Sequence, residues 1–152
     1  MKFRILLAAL LLAPALAFAG GKTDSPSEVL KKFVKAAFND QDFATAMALS
    51  HGEQKEFIRM QEKGMAWLKK SAAAGDPEAK AKLAQIKAKS ASFTLEIIEE
   101  QIDGDLAVVT AVWKIGDKKQ AGVACFAKVN GEWKNISTED YSKAVKARSN
   151  KK

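Results

Sequence analysis

The chain has 152 residues, and its 25 lysines and arginines against 18 aspartates and glutamates give a formal net charge of +7. A chain of this length is the usual size of one domain with its own hydrophobic core. Because Cys125 is the only cysteine and His51 the only histidine, an internal disulfide and a zinc site built from cysteine and histidine are excluded.

Residues 1–19 have the pattern of a secretory signal peptide. A basic start is followed by the apolar run Ile5–Leu12, and Ala17-Phe18-Ala19 fits the small-x-small cleavage rule. The apolar run is shorter than the roughly 20 residues that span a bilayer. We therefore expect cleavage near Ala19 and a periplasmic or secreted product, with no transmembrane segment in the mature chain.

The residues after a short disordered lead-in at 20–24 predict a series of helices. Ser25-Pro26-Ser27-Glu28 has the composition of a capping box and begins a helix that runs to about Phe38. Asp42 and Asp76 are predicted N-caps of later helices. The predicted helical segments are 26–38, 43–49, 53–74 and 78–89.

From residue 92 onwards the apolar period changes from that of a helix to that of a strand. The adjacent pair Ile97-Ile98 breaks the alternation and predicts a bulge. Asp103-Gly104 and Asn130-Gly131 predict tight hairpin turns. The strands that we predict begin at 93, 106, 120 and 132, and Leu106–Ile115 is apolar on both faces, as is typical of a central strand that is covered twice.

Helices followed by an antiparallel meander predict an α+β fold. We expect N-terminal helices packed on a strongly bent, cone-like antiparallel sheet of about four strands. Residues 25–137 form the predicted single domain, and 138–152 a weak helix and basic tail. One face of the central strand should line the cone. Its other face, which carries Leu106, Val108 and Val112, needs a helix or a second copy in a homodimer to cover it.

Four segments in order resemble one family of known proteins. Ser25–Phe33 is similar to an S-P-E-E-V-V-K-x-F helix start, and Asn39–Ala46 to an x-G-D-Y-x-x-A segment in which Gln41 replaces the glycine. Asp103–Val109 is similar to x-G-D-x-A-x-V, and Val129–Lys134 to x-D-G-x-W-K. Together they resemble the nuclear transport factor 2-like superfamily, in a bacterial exported branch of uncharacterised, lipoprotein-like domains. The resemblance implies a cone with a pocket between helices and sheet, but no cysteine for lipidation follows Ala19.

Residues that could carry acid–base, nucleophilic or metal chemistry are few. Cys125 lies in an apolar run that is typical of a buried small residue, and His51 stands at a break that is typical of a surface position. The acidic residues around the first hairpin are expected to be solvated; they are Glu96, Glu99, Glu100, Asp103 and Asp105. Inside the cone the polar candidates are Thr110, Gln120 and Asn135, none of which is a strong acid or base. We expect no catalytic residue, no metal and no cofactor.

The predicted function is an exported, non-enzymatic binding or interaction module. Its partner would be a small apolar ligand or an envelope protein, and the predicted pocket-lining residues are Trp113, Val109, Phe126 and Trp67. One alternative is an enzyme of the isomerase or dehydratase type with its pocket inside the cone. The other is binding to an anionic surface through the lysines of 80–89 and the basic tail. Nucleic acid is disfavoured as a partner, because no aromatic residues are interleaved with these lysines.

Overall fold

A computed structural model describes residues 23–150. The predicted leader and cleavage point, most of the lead-in and the last two lysines lie outside these residues. Five α-helices and four strands occur in the described chain, and a π-helical turn, Lys35–Asp40, continues the first helix. The α-helices are Pro26–Val34 (α1), Phe43–Ala48 (α2), Gly52–Ala73 (α3), Pro77–Ala91 (α4) and Thr138–Ser149 (α5). No helix among residues 23–150 combines the length and apolarity that crossing a membrane requires.

The helix starts follow the predicted capping chemistry. The Ser25 hydroxyl accepts from the Glu28 N–H and the Glu28 carboxylate accepts from the Ser25 N–H, which closes the capping box of α1. Asp42 accepts from the Thr45 N–H at the start of α2, and Asp76 accepts from the first N–H groups of α4. These bonds satisfy amide groups that have no partner within their helix.

The helices α3 and α4 form an antiparallel pair beside the main core. A small cluster of buried residues, Leu68, Ala72 and Ala79, holds the pair together. Leu83 and Ile86 of α4 pack against this cluster and are only partly buried. The pair therefore has its own apolar contact and leaves much of α4 in solvent.

The strands form one antiparallel sheet in the order β1-β2-β3-β4. They are Phe93–Asp103 (β1), Leu106–Ile115 (β2), Lys118–Val129 (β3) and Glu132–Ile136 (β4). The register of β1 on β2 shifts between Ile97 and Glu99, which confirms the predicted bulge. The predicted fold class, N-terminal helices on a bent antiparallel sheet of four strands, is confirmed.

The two faces of the sheet have different environments. The helix-side face carries Ala107, Val109 and Ala111 of β2 and Phe126 of β3, all buried against α1 and α2. On the outer face, Leu106 and Cys125 are buried, whereas Val123 is half exposed. The sheet is therefore covered fully on one side and in part on the other.

Helix α5 lies against the outer face of β3. At its first turn the Asp140 carboxylate accepts from the Glu53 N–H at 3.0 Å, and near its end Arg148 Nη1 donates to the Asp103 carbonyl at 2.9 Å. The helix thus extends from the start of α3 to the turn between β1 and β2. This position explains why outward-facing Leu106 is buried and identifies a helix as the cover of one end of the outer face.

Candidate functional site

An open cavity of about 480 Å³ lies where the wide end of the sheet meets α1 and the π-helical turn. We call it the Trp113 cavity. Its walls are mainly aliphatic and aromatic. The residues that line it are Leu30, Phe33, Val34, Phe38, Gln54, Phe93, Trp113, Ile115, Gln120, Val123, Ala124, Cys125, Asn135, Ile136, Ser137 and Thr138. The volume and the apolar walls of this cavity are typical of sites that bind small molecules.

Trp113 owes its position to a glycine on the neighbouring strand. It lies on the helix-side face of β2 opposite Gln120, two pairs along from the Ala111–Gly122 pair. A Cβ atom at Gly122 would stand 2.6 Å from Cζ2 of the indole, so only glycine leaves room for the ring in this place. The pairing of β3 with β2 continues without a register shift through Gly122, so this glycine does not mark a bulge. Its role is to leave space for the indole of Trp113.

Three phenylalanines form the aromatic rim beside Trp113. Phe38 stacks on Phe93 with ring centroids 4.8 Å apart, and it meets Phe33 edge to face at 6.4 Å. The π-helical turn presents Phe38 there, and Asn39 fastens that turn by donating to the carbonyls of Ser90 and Phe93. The rim is consequently tied to both α4 and β1.

The edge of β3 beyond the end of β4 borders one side of the cavity. The short β4 pairs only with Cys125–Val129, so β3 extends past its neighbour. Val123 lies on the outer face of the sheet opposite Thr110, and it still lines the cavity. The main chain of β3 therefore borders the cavity along this edge. An unpaired strand edge of this kind offers N–H and C=O groups to whatever lies beside it.

Five polar side chains line the cavity, and they are those of Gln54, Gln120, Asn135, Ser137 and Thr138. Gln54 comes from the first turn of α3, and Ser137 and Thr138 come from the start of α5. Buried Asn135 is already engaged, because its side-chain amide donates to the Cys125 carbonyl at 3.4 Å and its N–H to the Leu49 carbonyl at 2.8 Å.

A second hollow, of about 570 Å³, adjoins the Trp113 cavity and shares Trp113, Ile115 and Gln120 with it. Its wall includes Lys89 of α4 and Lys118 of β3. The two hollows together make a groove that is apolar at Trp113 and carries the charged residues Lys89, Asp117 and Lys118 in its second part.

The four residues that were predicted to line the pocket lie in three different places in the structure. Trp113 lines the cavity. Val109 and Phe126 are completely buried in the core, deeper in the cone, where helix side chains fill the space. Trp67 is on an exposed face of α3 and lines none of the cavities described here, because α3 buries the face that carries Ile58 and Leu68 instead. Of the four predicted residues, only Trp113 therefore lines the cavity.

In the sequence, the phenylalanines of the aromatic rim occupy positions that look like ordinary core positions of a helix and a strand. Phe38 stands at the predicted end of the first helix and Phe93 at the predicted start of the first strand. Two aromatic residues at element ends are a signal for a rim, but only the tertiary fold brings them together.

The titratable candidates lie away from the cavity interior or are unreactive. Burial raises the pKa of the Cys125 thiol, so the nucleophilic thiolate is disfavoured. His51 is exposed at the start of α3. Glu100 accepts from the Ser27 N–H at 2.7 Å and thereby ties β1 to α1. Among residues 23–150 no three His, Cys, Asp or Glu side chains are grouped as a metal site would need.

Comparison with known proteins finds a likeness to solved structures alone. No family model matches it, and no curated protein matches it. A solved nuclear transport factor 2-like, transpeptidase-like protein from Campylobacter jejuni is 18% identical, covers 75% of this chain and 100% of its own, and has a TM-score of 0.43. A nuclear transport factor 2-like protein of unknown function from Shewanella oneidensis is 15% identical over 72% of this chain and 91% of its own, with a TM-score of 0.45. Another of unknown function, from Cytophaga hutchinsonii, is 10% identical over 76% and 90%, with a TM-score of 0.40.

All three structures have TM-scores below 0.5, so the nuclear transport factor 2-like superfamily stays a prediction from the sequence motifs. They carry nothing about a ligand or an activity. Membership of the exported branch stays a prediction from the sequence.

Proposed function

We propose that the protein is an exported, non-enzymatic module that binds a small, mainly apolar molecule in the Trp113 cavity. The observation that carries the proposal is the apolar cavity of about 480 Å³ at the open end of the helix–sheet core. Cavities of this volume bury most of a small ligand, and aromatic walls provide contact area with little loss of side-chain freedom.

The chemistry of the wall supports binding over acid–base catalysis. No Asp, Glu, His, Lys, Arg or Tyr is among the described residues that line the cavity, and burial raises the pKa of the Cys125 thiol, which does line it. General acid–base catalysis needs a titratable group within hydrogen-bond reach of the substrate. Gln54 and Thr138 supply hydrogen-bonding groups that would orient one polar end of an apolar ligand, whereas the Ser137 hydroxyl already donates to Glu53 and accepts from the Asp140 N–H.

Export rests on the leader of residues 1–19. N-terminal sequencing of the protein recovered outside the cytoplasm should begin at Gly20. Recovery of a chain that still begins at Met1 would contradict this part of the proposal.

The binding test compares two alanine-to-phenylalanine variants on the same strand. Ala124 lines the cavity, so Ala124→Phe fills it, whereas Ala121→Phe adds the same ring to the exposed outer face. The chain from Gly20 is titrated with the fluorescent apolar probe N-phenyl-1-naphthylamine. We expect Ala124→Phe to weaken binding at least about tenfold and Ala121→Phe to leave it within about twofold.

Equal binding by both variants and the parent would refute the cavity as the site. Circular dichroism and thermal unfolding of both variants show that they remain folded. If Ala124→Phe does not fold, Gln54→Leu and Thr138→Val test the polar end of the same cavity.

A homodimer through the sheet and an envelope-protein partner are the further proposals about partners. The outer face around Val123 and Val112 is the part that α5 leaves partly exposed. If copies pair there, Val123→Lys should convert a dimer into a monomer in sedimentation equilibrium. A parent that is monomeric at all concentrations would contradict pairing.

A further inference from the structure

Helix α3 exposes a row of large apolar side chains that is separate from the Trp113 cavity. Phe57, Met60 and Trp67 are 49%, 64% and 67% exposed. With Gly64 they follow the spacing of three and four residues that puts side chains on one face of a helix, over about 15 Å. We call this row the α3 stripe. It is unpartnered within residues 23–150, since α3 buries the face of Ile58, Leu68 and Ala72.

The surface around the α3 stripe has a net positive charge. Residues 52–91, which span α3 and α4, contain nine lysines and arginines against five acidic residues. Lys63 and Lys70 lie three or four positions from Met60 and Trp67 and are therefore their neighbours on the helix. No lysine of this stretch forms an ion pair with another described residue.

The basic charge at the C-terminal end of the chain is, by contrast, partly neutralised. Lys143 pairs with Glu53 and Glu139, and Arg148 pairs with Asp103. The α3–α4 pair thus carries lysines that no ion pair compensates, next to the exposed apolar side chains.

We propose that the α3 stripe docks on an anionic lipid bilayer surface. An apolar row flanked by lysines matches such a surface, because the apolar side chains enter the boundary between headgroups and acyl chains while the lysines meet the lipid phosphates. Tryptophan suits this boundary, since its ring is apolar and its N–H is polar. A helix held in this way lies along the membrane without crossing it.

The charge distribution disfavours a second copy as the occupant. Pairing two α3 stripes across a twofold axis would bring two uncompensated basic surfaces together, and like charges in an interface weaken it. An anionic bilayer supplies the opposite charge.

The experiment measures binding of the chain from Gly20 to sedimented vesicles. One set contains phosphatidylcholine alone, and the other contains a quarter phosphatidylglycerol. We expect binding to the anionic vesicles, with a blue shift of tryptophan emission that Trp67→Phe removes. Raising NaCl from about 50 mM to about 500 mM should weaken binding at least about tenfold, because salt screens exposed charges.

Matched variants distinguish binding through the α3 stripe from nonspecific hydrophobic adsorption. Met60→Ser with Trp67→Ser should reduce the vesicle partition coefficient at least about tenfold. Ile98→Ser with Ile102→Ser removes two comparably exposed apolar side chains from β1 and should change it less than about twofold.

The charge variants follow the same design. Lys63→Gln with Lys70→Gln should weaken binding more than Lys118→Gln with Lys119→Gln, which removes the same charge from the start of β3.

Three results would overturn the proposal. The first is an equal loss of vesicle binding in the α3 and β1 double serine variants, and the second is equal binding to neutral and anionic vesicles. The third is no vesicle binding together with a dimer that Trp67→Ser dissociates. The last would identify a second copy as the occupant. Failure of vesicle binding leaves the Trp113 cavity untouched, because the α3 stripe contains no residue that lines the cavity.

Discussion

Replacing Gly122 with alanine tests the packing that positions Trp113. The new Cβ atom would stand 2.6 Å from Cζ2 of the indole, which is about 0.8 Å inside ordinary contact distance. The ring must move towards the cavity or β3 must yield. Overpacking of this kind costs about 1–3 kcal/mol, and the smaller conformational entropy of unfolded alanine returns about 0.5–1 kcal/mol. We expect Gly122→Ala to lower the free energy of unfolding by about 1 kcal/mol.

Urea denaturation of four proteins forms the assay: the parent, Gly122→Ala, Trp113→Phe and the double variant. Phenylalanine lacks the six-membered indole ring atoms that come closest to Gly122. In the Trp113→Phe background the alanine should therefore be neutral or slightly stabilising, since the clash is gone.

Gly64→Ala is the matched control, because nothing lies within 4 Å of a Cβ at this exposed helical glycine. It should raise the free energy of unfolding by about 0.5–1 kcal/mol. If Gly122→Ala is equally destabilising in the parent and in the Trp113→Phe background, the indole does not lie over Gly122 and the geometry of the cavity is wrong.

Two further predictions concern helix ends. Gln41 adopts φ 54°, in the left-handed region, at the position where the resembling motif has glycine, so Gln41→Gly should raise the free energy of unfolding by about 0.5 kcal/mol. The exposed helical Gln61→Gly should lower it, and a lower urea midpoint for Gln41→Gly would contradict the reasoning. Hydrogen bonds from Ser71 and the Ala79 N–H lower the pKa of the Asp76 carboxyl in the folded protein. Because the unfolded pKa is about 3.9, Asp76 contributes its full stabilisation above that pH. This contribution is lost as the pH falls through the lower pKa of the folded protein. Thermal midpoints measured from pH 6 downwards should fall less steeply for Asp76→Asn, and parallel curves would contradict this assignment.

Local chemistry made most element starts predictable from sequence. Ser25 and Glu28 close the capping box, and Asp103-Gly104 and Asn130-Gly131 turn the chain where expected. Each of these signals acts over three or four residues, so no tertiary information is needed. The bulge after Ile97 was predictable for a similar reason, because it follows from a break in alternation.

The site was less predictable because its residues meet only through the fold. The space for Trp113 depends on Gly122 of another strand, and the Phe38–Phe93 stack joins a π-helical turn to β1. Trp67 belongs to an apolar arc of α3 that is wider than the face its neighbours cover, and a helical pattern alone does not show which part is covered. The cover of Leu106 by α5 likewise depends on tertiary contacts such as the one from Arg148 to Asp103.

Locating a bound apolar probe by NMR tests the central claim most directly. With N-phenyl-1-naphthylamine bound to the isotope-labelled chain from Gly20, we predict intermolecular NOEs to the Trp113 indole and to the Phe38 ring. NOEs confined to Val108 and Val112 on the outer face, or to Trp67 on α3, would contradict the assignment of the Trp113 cavity as the binding site.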